Sequence, residues 1–139
     1  MDVTNILDVS ASGLTAARIR LETVSANLAN AKTTRTPGGG PYQRIVPIFE
    51  STEVDPFGDA LERVVSGVSV ADLRQIPGGT AVYEPTHPDA NAQGYVMYPD
   101  IDPLHEMVDL MLTSRAYEAN AKVADTTYEL MQRALEIGR

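Results

Sequence analysis

Apolar and small residues recur at both ends of the chain in alternating steps of three and four, and this pattern predicts a long helix at each end. In the last third, Met107, Leu110, Ser114, Tyr117, Ala121, Ala124, Tyr128, Met131 and Leu135 form one such stripe, the spacing of a coiled-coil seam. Asp102 is placed to accept hydrogen bonds from a first helical turn. Pro103 suits the next position, where a missing N–H leaves nothing unpaired. The helix is therefore predicted to start there, with no proline or glycine to interrupt it before Gly138. At about 35 residues it would span roughly 50 Å, more than the core of a chain this size requires. A second stripe lies beside the first: Leu112, Ala116, Ala119, Val123, Thr127, Leu130, Ala134 and Ile137. Two stripes need neighbours on two sides, so part of this surface is expected to be covered by another molecule.

The N-terminal segment mirrors this pattern. Val3, Leu7, Ser10, Leu14, Ala17, Leu21, Val24, Leu28 and Ala31 alternate in the same way, with leucines repeating every seven residues, which predicts a helix from about Asn5 to Ala29. Two heptad helices at opposite chain ends are expected to pair with each other. The pairing is weak by composition. Gly13 costs about 1 kcal/mol against alanine in a helix interior, and Ser10, Ala17, Ser114, Ala121 and Ala124 bury little area. Both termini are therefore expected to be mostly disordered in the isolated chain and to become helical on assembly. A polar and small stripe flanks the seam: Ile6, Val9, Gly13, Ala16, Arg20, Thr23, Asn27 and Asn30. Asn27 and Asn30 share a face, and Asn30 also suits a helix end, since asparagine tolerates left-handed geometry. Both could equally be caps or solvated amides.

Between the helices the period changes. Thr36 to Pro41 is rich in glycine and proline and predicts a hinge; its glycines are no phosphate loop, because no Gly-Lys-Ser/Thr follows. Tyr42 to Phe49 has strand composition, with Pro47 limiting it to an edge or an end. Glu50 to Asp59 predicts an acidic loop, and Ala60 to Val64 a short helical turn. In Val64 to Leu73, Val68 and Val70 alternate with Ser69 and Ala71, predicting a half-buried strand. A turn at Ile76 to Thr80 would return Ala81 to Tyr83 as its partner. Glu84 to Asn91 is expected to be extended and exposed, and Gly94 to Tyr98 to be a last short strand. The expected fold is α+β: long terminal helices paired as an antiparallel coiled coil, with a small β module of three or four strands inserted between them. Residues 1–35 and 100–139 would form a discontinuous helical domain, and 36–99 the hinge and β module.

Composition narrows the function. A formal charge of −8 argues against nucleic acid as a partner, since phosphate binding needs a concentrated basic face. Without cysteine there is no disulfide or thiolate metal site. No stretch approaches the roughly 18 apolar residues of a membrane span, and the first residues lack a Sec-type signal pattern.

Candidate chemistry is sparse. His105 and Asp109, with Glu106 and His87, could in principle hold a divalent metal. A first-turn histidine among solvated carboxylates near the helix's positive end is the better account. No serine or cysteine nucleophile has a recognisable local signature, and no carboxylate pair stands out for acid and base work. The expectation is no catalysis, no metal and no cofactor. Tyr117 and Tyr128 fit packing better than an aromatic site. Arg115 and Glu118 lie off the main seam, where they would bridge neighbouring subunits or simply be solvated.

Two motifs carry a resemblance. Val24-Ser25-Ala26-Asn27-Leu28-Ala29-Asn30-Ala31, followed by Thr33 and Thr34, resembles the asparagine-rich signature that closes the first helix of flagellar rod and hook proteins. Ser114-Arg115-Ala116-Tyr117-Glu118-Ala119-Asn120 resembles that family's second signature. Pro37 to Arg44 and Tyr83 to Ala90 are similar to the proximal rod members in particular, and the stretch from Glu50 to Val64 matches least. The resemblance implies a structural subunit of the periplasmic part of the basal body, exported by the flagellar type III apparatus without a cleaved signal. Such a subunit polymerises with copies of itself and other rod proteins into a drive shaft that transmits torque and conducts exported subunits. The subunit contacts would fall on Leu7, Leu14, Leu21, Val24, Asn27, Leu28 and Asn30 of the first helix. On the second they would fall on Met107, Leu110, Arg115, Tyr117, Glu118, Asn120, Ala121, Val123, Tyr128, Met131 and Leu135. The residue pattern by itself also allows a soluble coiled-coil adaptor or export chaperone, which would form a discrete cytoplasmic complex.

Overall fold

The computed structural model describes residues 3–53 and 66–137. Helix α1 (Val3–Ala29) and helix α2 (Pro103–Ile137) bracket four strands: β1 (Arg44–Glu53), β2 (Ser66–Ile76), β3 (Thr80–Tyr83) and β4 (Tyr95–Tyr98). The start of α2 follows from its cap, with the Asp102 carboxylate accepting from the Leu104 N–H at 2.9 Å and the Asp102 carbonyl accepting from Glu106 N–H at 3.1 Å. The two helices lie against each other and run in opposite directions: Gly13 meets Asn120, Arg20 meets Asp109 and Asn27 meets Glu106. The α+β class is as expected.

The strands depart from expectation. They form two separate two-stranded antiparallel sheets, β1 with β2 and β3 with β4, not one module. β2 pairs with β1 over its whole length, from Arg44↔Ile76 to Glu53↔Ser66, so Ala81 to Tyr83 is not its partner. The cause lies at Gly78 and Gly79. A Cβ on Gly78 would sit 3.3 Å from Asp100 Cβ, and one on Gly79 would sit 3.1 Å from the Tyr98 carbonyl oxygen. The chain thus passes tightly against the end of β4 and is directed onto that strand. Glu50 to Glu53 belongs to β1, not to a loop. The Glu50, Ser51 and Thr52 side chains stay exposed and Thr52 Oγ1 donates to Ser69 Oγ at 2.7 Å; acidic composition here marked exposure, not irregular backbone. Val68, Ser69 and Val70 are all half-buried, so the simple alternation expected in β2 is absent, and the register shifts beyond them, between Ile48 and Phe49, where Ala71 is the extra residue. The proposed turn at Ala60 to Val64 lies outside the described residues.

Glu84 to Asn91 is folded into turns instead of extended. His87 N–H donates to Glu84 O and Ala90 N–H to His87 O, at 3.1 and 3.0 Å. Pro85 and Pro88 each occupy the second position of a four-residue turn, where their fixed φ is favourable. The Thr36–Gly40 hinge is a tight loop closed by Gly39 N–H to Thr36 O, with positive φ at Gly39 and Gly40. Asn30 ends α1 without left-handed geometry, since no non-glycine residue described has positive φ. Its amide donates to Ala26 O at 2.9 Å and its oxygen accepts from the Thr33 hydroxyl at 3.1 Å.

The β1–β2 hairpin lies along α1. Ile45 is held by Asn27 near the C-terminal end of the helix, and Val68 N–H donates to Ser12 Oγ at 3.1 Å near the other end. Helix α1 is therefore covered by α2 and by the hairpin, whereas α2 has its extensive contacts with α1.

Candidate functional site

The helix pair closes on small and polar residues. On α1 the buried positions are Ser10, Ala16, Ala17, Thr23, Val24 and Asn27, and on α2 they are Glu106, Thr113 and Thr127. Ser10, Ala17 and Val24 belong to the leucine-bearing seam, but Ala16, Thr23 and Asn27 belong to the polar stripe beside it. The contact line thus lies between the two, and Leu7, Leu14, Leu21 and Leu28 are left half-buried. On α2 the line is rotated by about one residue from the expected seam and follows Glu106, Thr113, Asn120 and Thr127. The reason is the hairpin: by lying along Ser12 and Asn27 it sets which side of α1 remains for α2.

Burying these polar residues is tolerable because each finds a partner. Ser10, Thr23, Thr113 and Thr127 donate back to carbonyls of their own helix at 2.7 to 2.9 Å. Small side chains then let the backbones approach. A Cβ on Gly13 would lie 2.8 Å from Asn120 Nδ2, so this glycine gains a close contact in return for its lower helix propensity.

At the end of the pair nearest the hinge, α1, β1 and α2 are joined by one polar cluster. Asn27 is 1% exposed and acts as a strand neighbour to Ile45. Its oxygen accepts from Ile45 N–H and its Nδ2 donates to Ile45 O, both at 2.9 Å. The same Nδ2 donates to Glu106 Oε2 at 3.3 Å, and the Tyr42 hydroxyl donates to Asn27 Oδ1 at 3.3 Å. Glu106, also 1% exposed, accepts on Oε1 from Arg44 Nε at 2.7 Å and pairs with Arg44 Nη2 at 2.6 Å. Burial, reinforced by the Glu106 carboxylate, raises the Tyr42 phenol above its usual value of 10. A second ion pair, Arg20 with Asp109 at 3.4 Å, lies further along the pair. Asn27 is thus neither a cap nor a solvated amide. Glu106, Arg44 and Tyr42 were not singled out for this role by sequence. The available signal was the exact seven-residue recurrence of Glu106, Thr113, Asn120 and Thr127, a polar repeat inside an amphipathic helix.

The remaining sequence-selected residues of α2 lie mostly outside the line that meets α1. Met107, Tyr117, Val123, Tyr128 and Leu135 are 44, 40, 46, 58 and 73% exposed. Leu110, Asn120, Ala121 and Met131 are half-buried, as is Asn30 on α1, while Arg115 and Glu118 are exposed. Neither of these last two forms an ion pair within the chain among the described residues. Tyr117, Tyr128 and the leucines of α1 are therefore not sealed inside the single chain.

The four groups considered as metal ligands do not converge. Glu106 is held by Arg44, and Asp109 by Arg20. His87 Nδ1 accepts from Asp89 N–H at 3.1 Å, with its ring edge towards Tyr98. Among the described residues no three such groups are arranged to hold a metal, and no helix is long and apolar enough to cross a membrane.

Similarity to known proteins follows the same geometry. Residues 7–35, spanning most of α1 and the turn after it, match the family described as flagella basal body rod protein. Residues 92–137, spanning β4 and α2, match the C-terminal region of the flagellar basal body rod FlgEFG proteins. Across almost the whole chain, 43% identity over 136 residues relates it to the flagellar basal-body rod protein FlgC of Aquifex aeolicus, covering 98% of this chain and 97% of that one. The FlgC proteins of Bacillus subtilis, 42% identical with 96% of each chain covered, and Escherichia coli, 38% identical over the full length of both, are similar in the same way. With helices at both ends, an uncovered apolar surface on α2 and relatives of this kind along its full length, the chain belongs to the FlgC family of flagellar basal-body rod proteins, non-enzymatic structural subunits of the rod.

Proposed function

We propose that the protein polymerises through its terminal helices, acting as an antiparallel coiled coil, into the proximal segment of the rod. The observation that carries this is the distribution of exposed large apolar side chains: eleven lie on α2, from Leu104 to Ile137, and none on the described part of α1. A chain exposing so many large apolar side chains on one helix is built to have them covered by neighbours. The neighbours are copies of itself and other rod proteins, and the assembled helices form the layer that carries torque and surrounds the path of exported subunits. The division into residues 1–35 with 100–139 and residues 36–99 is proposed in the same terms, with β1–β2 lying along the helix layer and β3–β4 beyond it.

Before assembly the protein passes through the flagellar type III apparatus and reaches the periplasmic part of the basal body. A small-residue helix interface suits this route. It contributes little hydrophobic energy per turn, so the end of the pair far from the Glu106 cluster is weakly held until neighbours cover it.

Deletion in the native host, followed by imaging of isolated basal bodies and restoration from a plasmid, tests the reading. The inner-membrane ring should remain while rod, hook and filament are absent, and the plasmid should restore them. Complete rods in the deletion strain would refute it.

A further inference from the structure

The two sides of the helix pair differ in shape. On one side, α1, α2 and the hairpin enclose a groove of about 390 Å³, room for roughly a dozen waters. Its floor is Gly13, Ala16 and Ala17; Leu112 and Ala116 form one wall, and Phe49 and Val68 the other. Helical geometry continues the α2 wall through Ala119, Val123 and Leu130, the second apolar stripe. Met107, Ser114, Ala121 and Tyr128 fall on the opposite flank of α2, beyond the line that faces α1, and no hairpin lies there. On α1 the half-buried Leu14 and Leu21 fall on the side away from Ser12 and Ala16, and so join this flank. This side is a ridge, with Met107 and Tyr128 44 and 58% exposed.

We infer that the groove of one copy receives the α2 ridge of a second copy. The inference rests on the proposed polymerisation and says which surface meets which. The halves of the contact are carried by one chain on opposite flanks of one helix. Each copy therefore offers both, and the contact is heterologous: it propagates instead of closing a two-fold dimer. The groove holds the Arg20–Asp109 ion pair, with the Arg20 side chain 44% exposed, and Glu118 and Asp125 edge the ridge. Size agrees with cooperative assembly. A ridge from Met107 to Leu135 is about 40 Å long by helix rise and on the order of 10 Å wide, a projected area of roughly 400 Å² against about 800 Å² per partner for a standard stable interface. One contact is too small to hold a pair, but a subunit in the polymer uses both flanks.

The natural absence of cysteine makes disulfide trapping clean. Ala116→Cys in the groove is combined in turn with Met107→Cys, Ser114→Cys, Ala121→Cys or Tyr128→Cys on the ridge, in the full chain in the native host. Isolated basal bodies are then oxidised and run on denaturing gels. At least one pair should give a ladder of dimers and higher multimers, while each single variant stays monomeric and Ala116→Cys paired with Lys122→Cys or Glu129→Cys, on the back of α2, gives none. Assembled rods without any ladder would overturn the inference and leave the rod reading standing. So would trapping of a different protein, or self-linked dimers from a single variant. Complete rods lacking this protein would overturn the rod-assembly reading, and this inference with it.

Discussion

The Arg44–Glu106 pair offers the sharpest test of what holds the helix pair to the hairpin. Arg44→Met leaves the Glu106 carboxylate, 1% exposed, with Asn27 Nδ2 at 3.3 Å as its remaining partner. Breaking a buried pair from one side costs about 3–5 kcal/mol. The Arg44 side chain is 31% exposed, so water gains a path to the site and the lower end, about 3 kcal/mol, applies. Glu106→Met leaves the guanidinium unpaired but able to reach solvent, at about 2 kcal/mol for the lost charged hydrogen bonds. Replacing both by methionine removes the buried charges together and should cost no more than about 1 kcal/mol. Independent sites would instead cost the sum, about 5 kcal/mol. Urea unfolding followed by far-ultraviolet circular dichroism resolves these values, since 3 kcal/mol moves the midpoint by roughly 1–3 M at the slopes usual for small proteins. A double variant as unstable as the sum of the single ones, or single variants within about 0.5 kcal/mol of the parent, would refute the claim that this cluster joins the three elements.

Other outcomes follow from the same geometry. Leu21→Asp, at a half-buried position on the ridge side, should leave the isolated chain folded and soluble but abolish rod assembly, because the charge would be buried without a partner at a subunit contact; normal basal bodies from this variant would remove the leucine flank from the interface. Stability should fall as pH rises above 10. The Tyr42 phenol is raised by burial and by Glu106, and that of Tyr98 by its hydrogen bond to Glu84, so the unfolded chain loses these protons first, the folded chain binds more, and stability decreases until the folded groups also ionise. Tyr42→Phe and Tyr98→Phe should each flatten that limb of a thermal-melt series, and an unchanged limb in both would contradict it. In dilute protein, amide hydrogen exchange should be slowest at residues 20–29 and 104–113, around the polar cluster, and fast at 5–12 and 125–137; uniform protection along both helices would show that assembly is not needed to order the far ends.

Much of the secondary structure was legible in local chemistry. Asp102 and Pro103 specify the start of α2 wherever the helix packs, and the glycines after Pro37 specify a turn. The period of three and four along both ends requires helices because no other backbone places those residues on one face. Glu84 to Asn91 was misread for an equally local reason: Pro85 and Pro88 suit an extended chain and the second position of a turn alike, and the deciding hydrogen bonds run from backbone groups that carry no sequence identity. The family resemblance rested on the motifs at Val24–Ala31 and Ser114–Asn120, and both lie on the helices that meet.

Which faces of those helices meet was decided by tertiary structure. Leu14 and Leu21 carry the stronger heptad, yet the hairpin docks through Ser12 and Asn27 and leaves α2 to pack on smaller residues beside them. Strand pairing was decided at the same level, since β3 reaches β4 only because Gly78 and Gly79 let the chain pass close to Asp100 and Tyr98. Glu106 resembles any first-turn acid in sequence. It becomes a buried anchor only because Arg44 and Asn27, 62 and 79 residues away along the chain, converge on it. Periodicity and capping depend on neighbours within a turn, so the sequence could state them; burial and ion pairing depend on contacts between distant segments, and only the folded chain brings those together.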